Sequence, residues 1–178
     1  MTEINSKRLV LRDWRESDLA PWAAMNADPL VREHLGPVLD LEQSTASVRG
    51  FQQDLDRKGY GFWAVEVRDT GEFIGFTGLD DVDDGVPFTG VEIGWRLARS
   101  AWGHGYATEA AHAVLEYGFD VLGLAEILAV TTPTNRRSQA VMRRLGMTTD
   151  PGEDFDDPEE EGPLRRQTLW GLRRPDPR

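Results

Sequence analysis

There is no cysteine among the 178 residues of this chain. That excludes disulfides, thiolate metal sites and a cysteine nucleophile that would carry an acyl group. No apolar run approaches the roughly 18 residues of a spanning helix, and the N-terminus has no basic-then-apolar signal pattern. Lysine and arginine nowhere cluster as a nucleic-acid-binding surface requires. Internal repeats and interdomain linkers are missing too, so residues 1–178 are read as one domain. The expectation is a cytoplasmic protein with no membrane and no nucleic acid among its partners.

What is present fits a packed globular chain: 39% hydrophobic residues, six of them tryptophan. The net charge of −11 is concentrated. Residues 150–161 carry eight acids (Asp150, Glu153, Asp154, Asp156, Asp157, Glu159, Glu160, Glu161) and no base, and the rest of the chain holds 23 acids against 20 bases. Two readings of this segment stand, a solvated flexible loop and an electrostatic lure for a cationic partner.

Hydrophobic spacing predicts a strand at Arg8–Arg12, a helix from Leu19 to about Asp28-Pro29, and a short helix from Leu30 to Leu35. A longer helix is expected from Leu41 to Arg57, with a stripe at Ala46 or Val48, Phe51 and Leu55. Strands at Phe62–Val67 and Phe73–Leu79 flank a hairpin signal at Asp69-Thr70-Gly71-Glu72. Asp80 to Gly85 reads as a loop and Gly90–Leu97 as a strand. Beyond a glycine turn, Ala107, Ala110, Ala111, Val114, Leu115, Phe119 and Leu122 mark one buried helix face. A strand at Glu126–Thr131, a helix headed by Asn135 and a last strand at Gln167–Leu172 complete the pattern. Strands in a meander, followed by β-α-β-α-β, predict a mixed sheet with helices on both faces.

The glycine turn reads Trp102-Gly103-His104-Gly105-Tyr106-Ala107-Thr108-Glu109. Two glycines between a strand and a helix expose backbone N–H groups at the positive end of the helix dipole, a place for phosphate or pyrophosphate. The same glycines serve a tight turn equally well. No third glycine or ribose-binding acid follows at dinucleotide-fold spacing. His104 has no companion ligands, so no metal is expected.

The motif order resembles the GNAT N-acetyltransferase superfamily, and within it the ribosomal-protein N-terminal acetyltransferase-like branch. The resemblance rests on Arg8-Leu9-Val10-Leu11-Arg12, Asp18-Leu19, Asn26-Ala27-Asp28-Pro29 and Glu92-Ile93-Gly94-Trp95. It continues through Trp102 to Ala110, then Asn135 with Ser138 and Leu145-Gly146-Met147. It implies an α/β (α+β) fold with a mostly antiparallel central sheet of six to seven strands and helices on both faces. The implied activity is direct transfer of an acetyl group from acetyl-coenzyme A to a primary amine. A non-catalytic acyl-coenzyme A sensor or assembly module on the same fold is the alternative.

The resemblance also assigns residues. Backbone amides from Gly103 to Thr108 (Gly103, His104, Gly105, Tyr106, Ala107, Thr108) would hold the pyrophosphate. Trp102 stands where the family usually has Gln or Arg. Pantetheine would lie along the strand end at Leu97 and meet Asn135, which also reads as a helix cap. Glu92 is the candidate general base, because an ammonium must lose a proton before it can attack; otherwise it is a structural or solvent-facing carboxylate. The family's tyrosine acid is replaced by Met142, and Ser138 is its candidate substitute, or else an ordinary helix-start serine. The acceptor, a protein N-terminus or a small amine that is cationic in one reading, is left open. So is the choice between monomer and homodimer.

Overall fold

The computed structural model describes residues 3–174. Alternating hydrophobics do form the predicted hairpin: β3 (Phe62–Val67) and β4 (Glu72–Asp81) pair antiparallel across a turn whose Gly71 adopts φ +69°. Around it lie β1 (Ile4–Asn5), β2 (Leu9–Arg12), β5 (Val91–Leu97), β6 (Glu126–Thr131), β7 (Thr148–Thr149), β8 (Phe155–Asp156) and β9 (Arg166–Arg173). The order across the sheet is β1-β2-β3-β4-β5-β6-β9-β7, with β8 paired to β9. Among the described residues only the β5–β6 junction is parallel. The count of nine exceeds the expected six to seven because β1, β7 and β8 are two-residue ladders, too short to show a period.

Helices α1 (Leu19–Asn26), α2 (Pro29–Arg32), α3 (Leu41–Lys58), α4 (Tyr106–Asp120) and α5 (Arg136–Arg144) complete the fold. On one face α4 buries Ala110, Ala111, Val114 and Phe119 against Leu79, Ile93, Leu97 and Ile127. Gly118 lets the helix approach closely there, since a Cβ would sit 2.6 Å from Ile127 Cδ1 and force that side chain to shift. On the other face α1 and α3 cover an aromatic cluster of Trp14, Trp22, Phe51, Phe62 and Phe76. Among the described residues no helix is long and apolar enough to cross a membrane.

Several boundaries differ from the sequence reading. In α3 the buried positions are Ser44, Val48 and Leu55, while Ala46 is exposed; Ser44 turns inward because its hydroxyl accepts a hydrogen bond from Asn26 of α1. The α2 helix stops at Arg32, whose guanidinium binds the carbonyls of Leu35 and Pro37 and so ends the helix. Leu122 falls past the end of α4. Asp80 and Asp81 belong to β4 rather than to a loop, with Lys58 bridging both at 3.0 and 2.8 Å. The acidic segment is more than a flexible solvated loop: Phe155 is buried against Phe88, Asp156 pairs with Arg165 and Arg166, and β8 holds it to β9.

One polar cluster sits within this core. Arg12 binds both oxygens of Asp18 at 2.7 and 3.0 Å and Glu66 at 2.7 Å, and Arg12 and Asp18 are almost fully buried. Burial alone lowers the Arg12 pKa, but the two carboxylates outweigh it and hold the guanidinium above its usual range. Removing Asp18 leaves the buried guanidinium with Glu66 alone, which Arg15 shares, and its Nη2 without an acceptor. Asp18→Ala is therefore expected to cost about 3–5 kcal/mol in urea denaturation. Arg15→Ala, at the exposed edge of the same cluster, should cost under about 1 kcal/mol. Equal losses in the two variants would show that the buried pair contributes nothing special.

Candidate functional site

After β5 the chain makes a short turn and reaches Gly103 and Gly105, both left-handed, with φ of +81° and +79°. L side chains rarely adopt this geometry, and α4 begins immediately afterwards with Gly105 as an N-cap that offers no side-chain acceptor. The first helical return is Glu109 N–H to the Gly105 carbonyl at 3.1 Å. Consequently the N–H groups of Gly103, His104, Gly105, Tyr106, Ala107 and Thr108 find no acceptor among the described residues. A Cβ built on Gly103 meets nothing within 4 Å, so the space over the loop is open. Six unsatisfied donors at the head of a 15-residue helix make an anion cradle.

The cradle is braced by residues that sequence reasoning did not single out. Glu109 accepts from the Arg8 N–H at 2.7 Å, Arg8 Nε at 2.6 Å and Ser6 Oγ at 2.8 Å. Burial raises the pKa of this carboxyl, but those donors more than reverse the effect and hold it below its usual range. Arg8 also donates to the His104 carbonyl at 3.0 Å and lies 4.6 Å above the Tyr106 ring. These partners stand about a hundred positions apart, and no local pattern announces them.

Beside the cradle the sheet opens. β5 and β6 share a single bridging pair, Glu92 with Leu128. Past it, Ala98 N–H bonds to the Ile74 carbonyl on the β4 side. By strand alternation the peptide groups of Trp95 and Leu97 then face the β6 side, where no pairing continues. The Leu97 carbonyl is capped by Trp102 Nε1 at 2.9 Å, and the Trp102 ring is covered by Arg137 at 4.5 Å. Across the gap, Asn135 Oδ1 caps α5 by accepting from Ser138 N–H at 3.2 Å. Its Nδ2 donates to Thr131 Oγ1 at 3.0 Å and Ser138 Oγ at 3.1 Å. The Ser138 hydroxyl proton has no acceptor among the described residues. Met142, at the family's tyrosine position, is core.

A cavity of about 910 Å³ runs along these elements. Its walls include Leu97, Trp102, Gly103, Gly105, Tyr106, Ala107, Thr108, Asn135 and Ser138. His104 is outside it; its exposed ring stacks on Tyr106 at 5.5 Å. Glu92 is outside it as well, on the strand face opposite Ile93 and Leu97. Burial, then Asp83 and Asp80, push the Glu92 carboxyl up to about 7, and it makes no hydrogen bond among the described residues. The walls also hold Arg96 and His34, which the sequence reading did not select; the parity of Arg96, shared with Glu92 and opposite to Leu97, was the available signal. The described residues contain no cluster of three or more potential metal ligands.

The open cradle, the unpaired strand edge and the length of the cavity fit coenzyme A: backbone donors for its phosphates and a strand edge for its amide-bearing arm. Residues 8–148 match the family described as Acetyltransferase (GNAT) domain. The chain is 30% identical to the uncharacterized N-acetyltransferase YoaA of Bacillus subtilis, over 80% of this chain and 81% of that protein. It superposes on the crystal structure of the acetyltransferase from Agrobacterium tumefaciens with a TM-score of 0.80 and 26% identity, covering 98% and 95% of the two chains. It shares its fold with RimL, a ribosomal L7/L12 alpha-N-protein acetyltransferase solved with coenzyme A, at a TM-score of 0.79 and 17% identity over 97% and 98% of the chains. A backbone anion cradle on a sheet opened at its one parallel junction, in a chain matched from Arg8 to Thr148, makes this protein an acyl-coenzyme A-dependent N-acetyltransferase of the GNAT family.

Proposed function

We propose that the protein transfers an acetyl group directly from acetyl-coenzyme A to a primary amine of a small molecule or a protein N-terminus, within a ternary complex in the cytoplasm. The observation that supports this most is the six-donor cradle sharing one cavity with the unpaired edge of β5. When bound, coenzyme A supplies the activated thioester. Gly103 to Thr108 hold its phosphates through N–H groups, with the loop braced by Arg8 and Glu109. The cleft-side N–H groups of Trp95 and Leu97 align the arm and polarise the thioester carbonyl.

Glu92 accepts the proton released by the attacking ammonium, directly or through water. It faces the opposite side of the sheet from α4, so acceptor and cofactor meet through the gap beyond the Glu92–Leu128 pair. Ser138, already oriented by Asn135, offers its hydroxyl proton where the thiolate leaves. Transfer needs no acyl-enzyme, in keeping with the absence of cysteine. The surface around Glu92 is acidic, though Lys58 offsets part of the charge of Asp80 and Asp81. Attraction of a cationic acceptor thus rests mainly on Asp83, Asp84 and the acidic segment. Chains acting as monomers or homodimers are equally compatible with this chemistry.

Three outcomes are expected. A panel of amines with thiol detection should yield amine-dependent release of coenzyme A, and its failure with every amine would remove the transfer reading. Gly105→Val, forcing a β-branched residue into a left-handed position over the cradle, should weaken coenzyme A binding at least ~10-fold by calorimetry. Unchanged affinity would move the phosphate site elsewhere.

Glu92→Gln should lower kcat about 10²-fold and abolish a rise of kcat/KM centred near pH 7. It carries a stability signature as well. The Glu92 carboxyl is raised from 4.5 to about 7, so its favourable contribution is complete below pH 4.5 and is lost as pH rises through 7. The Gln variant should therefore match the wild type near pH 4.5 and exceed it by about 3 kcal/mol at pH 8. An identical pH–rate profile in the two proteins would take Glu92 out of the mechanism.

A further inference from the structure

Arg96 breaks the rule that Arg12 obeys. Arg12 is buried with two carboxylates bound to it. Arg96 lies on β5 with its guanidinium 5.1 Å from the Trp22 ring and 5.4 Å from Phe76. Its one hydrogen bond among the described residues is from Nη1 to Asn26 Oδ1 at 2.7 Å, and Asn26, fully buried, is fixed in turn by Ser44. Its Nε is buried with no acceptor. No described residue forms an ion pair with it. Burial, and then the neighbouring cation Arg32, draw its pKa down to about 9. Arg32 spends its own donors on the Leu35 and Pro37 carbonyls.

A guanidinium in such surroundings costs free energy unless an oxyanion completes it. Asn26 orients the group without neutralising it, so the charge stays available. Arg96 also lines the cavity, where its neighbours Leu30, Val31, Leu35 and Trp95 offer no counter-charge. The anion it awaits is not the cofactor's pyrophosphate. That has its own cradle at α4, on the face of the sheet that Leu97 shares, whereas Arg96 alternates onto the face of Glu92.

We propose that Arg96 binds a carboxylate carried by the acceptor, so that the substrate is an amino acid-like molecule with a primary amine and a carboxylate. The inference rests on the amine-acetylation reading and narrows its substrate class. Glu92 and Arg96 stand four residues apart on one strand face, about 13 Å along the strand. Amino acids whose amine and carboxylate lie at opposite ends, such as lysine at its ε-amine or 5-aminopentanoate, suit that separation better than glycine.

The test pairs each amino acid with its decarboxylated amine: lysine with cadaverine, 5-aminopentanoate with butylamine. Coenzyme A release should show a kcat/KM at least ~10-fold higher for an amino acid than for its partner. Arg96→Gln should collapse that ratio to near one. Asn26→Asp should do the same without removing any side-chain volume, since it places a carboxylate 2.7 Å from Nη1 and neutralises the guanidinium in place. Because each ratio is taken within one protein, a loss of stability cannot mimic the effect. Calorimetry of N-acetyl-lysine binding to the coenzyme A complex gives a readout independent of turnover, with an expected weakening of at least ~10-fold in both variants. Amines acetylated equally well with and without the carboxylate, or ratios and N-acetyl-lysine affinities unchanged in both variants, overturn the proposal while leaving amine acetylation intact. Absence of release with any amine, alongside carboxylate-dependent binding that both variants lose, would instead sink the transfer reading and keep the Arg96 site.

Discussion

Backbone pairing between β5 and β6 ends after Glu92 and Leu128, and the cavity beside the glycine turn depends on that interruption. An antiparallel neighbour would have continued the ladder, as β4 does along the whole of β5. A parallel neighbour reached through α4 can start beside β5 and then leave it, because the crossover sets only where the strand begins. As a consequence, the end of β5 keeps backbone groups that another extended molecule can use. Trp102 stabilises the open edge by covering the Leu97 carbonyl, and Arg137 reaches over from α5 to cover Trp102.

Charge is distributed to match. Arg12 with Asp18 and Glu66 forms a closed set that fixes β2 against β3 and the entry to α1. Glu92 and Arg96 are left open on one strand face, and each is shifted toward its neutral form by burial. In a folded protein such residual cost persists where a ligand offsets it. Of the acids near Glu92, Asp80 is bridged by Lys58, so the field at Glu92 comes from less charge than the sequence suggests.

Much of this was legible in the residues. The Phe62–Leu79 hairpin, the amphipathic α4 and the glycine turn have periods and turn signals of their own, and local interactions alone place them. Glycine at 103 and 105 announced a tight turn, and both residues adopt left-handed φ values there. The rest was hidden for physical reasons. Two-residue strands carry no periodicity. Asp80 and Asp81 read as loop because β-propensity penalises Asp, whereas pairing with Glu92 and Val91 and the bridge from Lys58 override the penalty. The acidic segment read as solvated because Phe155 was outweighed by its neighbours, yet one buried aromatic against Phe88 is enough to seat β8. Arg8 and Glu109 lie inside the quoted motifs and Arg96 just after one, but their roles come from partners far along the chain, which no local pattern names.

The bracing of the cradle by Arg8 and Glu109 ties cofactor binding to the order in which the chain is made. These residues are 101 positions apart, so at about 5–20 residues per second the first strand waits on the order of 5–20 seconds for its partner on α4 to be synthesised. Contacts of such separation form late in folding, after local hairpins and helices. The glycine loop at the head of α4 is thus among the last parts to settle. A ligand bound on this loop would therefore reward only a chain in which Arg8 and Glu109 have already met, favouring the finished fold over every partly assembled one.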